Sequence, residues 1–211
     1  MDLAARLIGQ KIIVKPEIAW AFKKIDRADF LPPEVKSGAE IDQPLAIGFG
    51  QTNSQPSTVA FMLEKLAPEA GEKILDVGCG SGWTTALLAE IVGRQGRVCG
   101  LEIIPELKKQ AEKNVGRYGF IKSGRATITL GDGRKGLPAL APFDRILVSA
   151  ASGDLPGPLL DQLAAGGKMI LPISDGRDGQ SMVLIAKDRH NKIKRTIFPG
   201  FLFVPLVKPK K

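Results

Sequence analysis

From Glu72 onward the chain alternates short apolar runs with helix-like segments, and this restricts the fold more than any other feature. Lys73-Ile74-Leu75-Asp76-Val77 reads as a strand, a glycine-rich turn follows, and Trp83–Val92 reads as a helix. Residues 97–101 form a strand before the helix Pro105–Arg117, 126–130 and 144–148 are strands, 158–165 is a helix and 168–173 a strand. Parallel neighbours need a long crossover, usually a helix, so this alternation predicts a mostly parallel sheet covered by helices. After Ser174 the runs at 181–186, 193–198 and 201–205 follow one another without helices, so the sheet is expected to end in antiparallel strands.

The first 55 residues have another rhythm. Ala4, Leu7, Ile8 and Ile12 recur near helical spacing, and Pro16 can open a second helix with Ile18, Ala19, Phe22 and Ile25 on one face. Phe30-Leu31-Pro32-Pro33 stops it, and residues 36–55 read as an irregular connection. The expected organisation is a helical extension with a polar loop over 1–55 and an α/β unit over 56–211, together one compact body. A chain of 211 residues has the size for that.

Several function classes fall away on composition. No apolar run reaches the roughly 18 residues of a membrane span, and the first fifteen residues lack a cleavable leader's pattern, so a cytoplasmic protein is expected. Cys79 and Cys99 lie far apart, and the single histidine, His190, sits in the polar stretch 187–192. A thiolate–imidazole metal site has too few ligands, and His190 reads as a solvated hairpin residue. The net charge of +8 is spread along the chain, its densest run being the tail Lys208-Pro209-Lys210-Lys211, so it does not by itself call for a nucleic-acid partner. A monomer is expected.

The turn Gly78-Cys79-Gly80-Ser81-Gly82 directly follows a strand and precedes a helix. Glycines there let a ligand approach the main chain, at the strand end where doubly wound sheets bind nucleotides. Glu102 ends the second strand about twenty residues on, with Ile103 beside it, where a carboxylate can take both ribose hydroxyls. Asp132-Gly133 ends the third strand and can face an adenine amino group. Asp76 closes the set, facing the cationic amino-acid end of the ligand. The spacing GxGxG is not that of a dinucleotide site, and no phosphate-binding GxxxxGK[ST] occurs. Together these residues resemble the Rossmann-like S-adenosylmethionine-dependent methyltransferases, which implies a mostly parallel seven-stranded sheet flanked by helices, and S-adenosyl-L-methionine as cofactor.

The nucleophile is constrained by what is missing. The fourth strand ends Leu147-Val148-Ser149-Ala150-Ala151-Ser152 rather than in the (Asp/Asn)-Pro-Pro-(Tyr/Phe) that usually serves DNA-base amino groups, and both cysteines look structural. A carboxylate needs no base, since its pKa near 4 leaves it ionised at neutral pH. It needs hydrogen-bond donors to hold it in line, and Thr52 and Ser54 in Gly50-Gln51-Thr52-Asn53-Ser54-Gln55-Pro56 are such donors. The competing reading makes Ser54 or Ser57 the cap of the next helix.

The run Ile47-Gly48-Phe49-Gly50-Gln51-Thr52-Asn53-Ser54-Gln55-Pro56 resembles the signature of the protein-L-isoaspartate (D-aspartate) O-methyltransferases, roughly IGxGQTxSxP. LDVGCGSGW at 75–83, GDG at 131–133, APFDRILVSAA at 141–151, LLDQLAAGGKMILPI at 159–173 and FVPLV at 203–207 continue the likeness along nearly the whole chain. The resemblance implies methylation of the free carboxylate of L-isoaspartyl and D-aspartyl residues, followed by succinimide closure and repair. It makes Ser54 the active-site serine, puts Thr52 and Val59 along the cofactor pocket, and gives Glu102 the ribose and Asp132-Gly133 the adenine side. An RNA base methyltransferase is the alternative with a similar cofactor core. Three departures stand out: Asn53 replaces an apolar residue, Ser57 a large one, and residues 37–42 lack an aromatic. All three are expected near the entrance for substrate.

Overall fold

The computed structural model describes residues 2–174, 176 and 179–207; the basic tail lies outside them. Two helices open the chain. In Leu3–Gly9 (α1), the Asp2 carboxylate accepts the Ala5 N–H at 2.6 Å. Pro16–Lys24 (α2) begins on a proline, which supplies a helical φ and lacks an N–H that the first turn would leave unpaired. Two 3₁₀ turns, Arg27–Phe30 and Pro33–Gly38, lead into a hairpin of β1 (Leu45–Gly48) and β2 (Gln51–Asn53). This hairpin replaces the irregular connection expected for 36–55. Its strands of four and three residues are too short for period-two alternation to be read. Its tip holds Gly48, Phe49 and Gly50 at φ of 89°, 56° and 70°. Pro56–Leu66 (α3) then leads into the sheet.

Seven strands make that sheet: β3 (Lys73–Val77), β4 (Arg97–Glu102), β5 (Ala126–Leu130), β6 (Phe143–Val148), β7 (Leu163–Ser174), β8 (Gln180–Lys187) and β9 (Ile193–Phe201). Their spatial order is β5-β4-β3-β6-β7-β8-β9. The first five are parallel and the last two antiparallel, as the alternation predicts. Strand order reverses beside β3, which leaves a crevice above its carboxyl end. The helices Trp83–Val92 (α4) and Pro105–Arg117 (α5) follow β3 and β4.

Alternation divides the core in two. Ile74, Val98, Ile128, Leu147 and Ile170 face one side, where they pack with Leu7, Ile18, Phe22, Leu63 and Leu87 from the helices. Leu75, Val77, Leu101, Ile146 and Met169 face the other side with Leu159. The first 25 residues thus share a core with the sheet. Burying a large apolar side chain is worth about 1.5–3 kcal/mol, so Leu7, Ile18 and Phe22 tie the extension firmly to the α/β unit.

Two further elements depart from expectation. The helix read at 158–165 is only Gly157–Asp161 (α6), and β7 begins at Leu163. Gln162 ends it: its side chain accepts Leu137 N–H and donates to the carbonyls of Lys135 and Pro158, while its own carbonyl accepts Phe143 N–H. Residues 201–205 are not another full strand. After β9 the chain crosses above the carboxyl ends of the strands as a strap. Ala151 donates to the Val204 carbonyl at 2.8 Å and accepts Leu206 N–H at 2.7 Å. The Gln180 amide clamps Phe203 on both sides, accepting its N–H at 2.6 Å and donating to its carbonyl at 3.0 Å.

Candidate active site

The turn after β3 holds Gly78, Gly80 and Gly82 at φ of 72°, 55° and 95°, the left-handed region that disfavours side chains. Gly78 and Cys79 donate to the Leu101 carbonyl at 2.8 and 3.2 Å, which ties the turn to β4. Glu102, at the end of β4, is almost fully buried. Its Oε2 accepts Gly80 N–H at 2.8 Å, and its Oε1 accepts those of Ile103 and Ile104 at 2.8 and 2.9 Å. Gly78, Cys79, Gly80, Glu102, Ile103 and Gly133 line one cavity, together with Thr52 and Ser54. A Cβ on Gly133 would stand 2.6 Å from Val77 Cγ1.

Four expected cofactor residues do not line that cavity. Asp76 is fully buried and shares a face of β3 with Ile74, so it points under α4, where Thr84 and Thr85 hydroxyls donate to its Oδ2 at 2.7 and 2.6 Å. Burial pushes its carboxyl up to about 6, against the pull of the two hydroxyls and helped by the charge of Glu102. Gly82 makes room for α5: a Cβ there would meet Val115 Cγ2 at 2.8 Å and Ala111 Cβ at 3.2 Å. Asp132 gives both oxygens to its neighbour Arg134, at 3.0 and 2.6 Å, and this pairing holds its carboxyl below the usual range. Val59 is fully buried in the apolar core of α3.

The strap supplies the wall that sequence reasoning missed. Val204, Pro205, Leu206 and Val207 line the cavity, and so do Ser149 and Ala150 after β6. The apolar side chains of the strap carry no chemical signal, so only the likeness of FVPLV could have drawn attention to them. A second groove, lined by Pro44, Gln55, Thr58 and Phe201–Phe203, meets the first at Thr52, Ser54, Ser149 and Val204.

Neither serine caps α3. The N-cap residue is Gln55, and the Ser57 N–H is taken by Asp42 Oδ1 at 2.8 Å, from fifteen residues upstream. The Ser54 carbonyl accepts from Arg27, while its hydroxyl has no partner among the described residues. Asn53, expected at the substrate entrance, is almost fully buried and lines the first cavity but not the second groove: Oδ1 accepts Arg27 Nε–H at 2.9 Å and Nδ2 reaches Ser81 Oγ at 3.4 Å. Ser57 lines neither groove. Burial lowers the Arg27 guanidinium to about 10, opposed by the carboxylates of Asp42 and Glu40, so it remains a cation at neutral pH.

No other group offers a base or a soft nucleophile here. Burial pushes the Cys79 thiol well up, and the charges of Asp76 and Glu102 add to this, so it stays protonated beside the cavity. His190 lies in the exposed turn between β8 and β9, at the far end of the sheet from the cavity. Among the described residues no helix is long and apolar enough to cross a membrane.

A family profile described as protein-L-isoaspartate(D-aspartate) O-methyltransferase matches residues 1–211. The chain is similar to the protein-L-isoaspartate O-methyltransferase of Methanopyrus kandleri, with 42% identity over 97% of this chain and 89% of that one. It is 43% identical to the Aeropyrum pernix protein of the same name, covering 98% of this chain and 78% of the other. Among solved structures it resembles a Plasmodium falciparum protein described as a protein-L-isoaspartate O-methyltransferase, in complex with S-adenosyl-L-homocysteine. There the TM-score is 0.85 at 27% identity, over 97% of this chain and 96% of that one.

Proposed function

Since the chain belongs to the protein-L-isoaspartate(D-aspartate) O-methyltransferase family, and is an S-adenosylmethionine-dependent enzyme that methylates isoaspartyl carboxylates of damaged proteins, we propose that transfer takes place where its two cavities meet. The observation that carries this reading is the shared boundary at Thr52, Ser54, Ser149 and Val204. A reaction between two ligands needs a point where both are within contact, and this boundary offers one.

The residues of the first cavity suit the cofactor. The glycine turn leaves main chain uncovered, Gly133 has no room for a Cβ, and Glu102 stands at the end of β4 where ribose hydroxyls would lie. When bound, S-adenosylmethionine supplies an electrophilic methyl group on a sulfonium. The chain's own task is orientation. The Ser54 hydroxyl, free of other partners among the described residues, donates to the attacking carboxylate, and Thr52 shapes the same pocket. No proton need be removed, because an isoaspartyl carboxylate is already an anion at neutral pH. The strap and β6 end keep water from the reacting groups. The methyl ester then closes on the neighbouring backbone nitrogen with loss of methanol, and hydrolysis of that succinimide returns some normal aspartate.

The finer features of the reading are a cytoplasmic monomer with no nucleic-acid partner, in which residues 1–55 form an extension carrying the platform onto the α/β unit. Ser54→Ala tests the chemistry. Turnover is expected to fall about ten- to a thousandfold, as when one orienting donor is lost, with S-adenosylhomocysteine affinity and melting temperature nearly unchanged. Full activity would leave the hydroxyl without a role.

A further inference from the structure

We propose that Arg27 is a positioning residue for methyl transfer, acting through Asn53 and the Ser54 main chain to aim the Ser54 hydroxyl. This rests on the reading of Ser54 given above and names what holds it.

Arg27 is 3% exposed, in a 3₁₀ turn, and lines neither cavity, but it lies directly behind Asn53 and Ser54, which line the first. Its five N–H groups reach six acceptors, all carbonyl oxygens. Nε donates to Asn53 Oδ1 at 2.9 Å. Nη1 donates to Ala39 and Ile41 at 3.2 and 3.0 Å, and Nη2 to Gln43, Asn53 and Ser54 at 2.8, 3.3 and 3.2 Å. The Trp83 ring, at the start of α4, lies 5.4 Å from Cζ. Burying a cation on main-chain carbonyls is costly, and an apolar side chain would fill the space at less cost. What an apolar side chain could not do is join loop 39–43 to residues 53 and 54.

That join falls where the chain has least other support. The β1–β2 pairing ends at Asn53, and α3 is fixed from Ser57 onward by Asp42. Ser54 stands between them, its carbonyl held by Arg27. A guanidinium only donates, so it forces Asn53 Oδ1 toward itself and turns Nδ2 toward Ser81 in the glycine turn. The substrate platform and the cofactor turn are thereby built against one another.

The test is a double-mutant cycle on an isoaspartyl peptide, with kcat, KM, S-adenosylhomocysteine affinity and melting temperature measured for each protein. Arg27→Lys keeps the charge but cannot span the fork of acceptors. It is expected to lower kcat about tenfold in the otherwise native protein and less than about twofold in a Ser54→Ala background, because residues acting as one unit are not additive. Asn53→Leu and Asn53→Asp repeat the test without touching the buried cation. The leucine leaves Nε without its acceptor and should cost about as much kcat as Arg27→Lys, and the aspartate should restore most of that loss. A slow Ser54→Ala with a full, multiplicative Arg27→Lys effect, or an Asn53→Leu protein as fast as Asn53→Asp, overturns this inference alone. A fully active Ser54→Ala overturns both it and the reading beneath it.

Discussion

Glu102 has both oxygens engaged before any ligand arrives: one holds Gly80, the other Ile103 and Ile104. A glutamine could accept on one side only and would turn its NH₂ against a backbone N–H on the other. Glu102→Gln is therefore expected to weaken S-adenosylhomocysteine binding ten- to a hundredfold, about 1.5–3 kcal/mol, read by calorimetry; unchanged affinity would remove Glu102 from the cofactor site. Asp76 behaves differently. Its folded pKa, about 6, lies above the ordinary carboxylate value, so between about pH 4 and 6 the folded state holds the proton more tightly than the unfolded state does. Its contribution is fully present below that window and is lost as pH rises through the folded value. In denaturant titrations at pH 5 and pH 7, the native protein should lose stability relative to Asp76→Asn on going to the higher pH; a constant difference would mean no such shift. The contrast between the two acids also shows what a sequence conceals. Both were legible as strand-end carboxylates, but the direction of a side chain depends on strand parity and on what packs above it. Asp76 falls on the face of Ile74 and meets the hydroxyls of α4. Asp132 is taken by an arginine two residues away, a pairing no strand pattern reveals.

α3 carries the clearest case at the scale of an element. A local reading offers Ser54 or Ser57 as its cap, yet the cap comes from Asp42 in the loop before the hairpin. Tertiary caps are invisible to local patterns, because the donor and acceptor meet only once the loop has folded over. Val59, Met62, Leu63 and Leu66 are each at most 1% exposed, so burial worth several kcal/mol holds the helix whatever its cap. Asp42→Ala should thus cost only about 1 kcal/mol of stability in denaturant unfolding. A loss several times larger would mean that Asp42 supports the buried Arg27 more than the helix. α4 and the central parallel strands were readable from sequence as nearly continuous apolar runs, because they are buried on every side, and α5 from its single apolar face. α6 was overread because Gln162, polar and mid-pattern, ends it through bonds to the 135–137 loop, to β6 and back to its own helix.

On the scale of the whole molecule, the parallel-then-antiparallel sheet follows from the order of helices between strands, and the cavity from the strand reversal beside β3. The net charge of +8 has a testable bearing on substrate. Methyl transfer to an isoaspartyl peptide should change less than about threefold between 50 and 200 mM salt, whereas binding through several RNA phosphates would weaken by orders of magnitude. Tight, salt-sensitive association with transfer RNA would argue for RNA as substrate instead. The strap has a different kind of consequence. A ribosome makes the glycine turn and Glu102 more than a hundred residues before Val204–Val207. A nascent chain therefore carries the floor of the cavity before it carries the strap, and a domain that folds as a unit completes the cavity only once both are out. A polypeptide cut short of Val204 lacks one wall of that cavity.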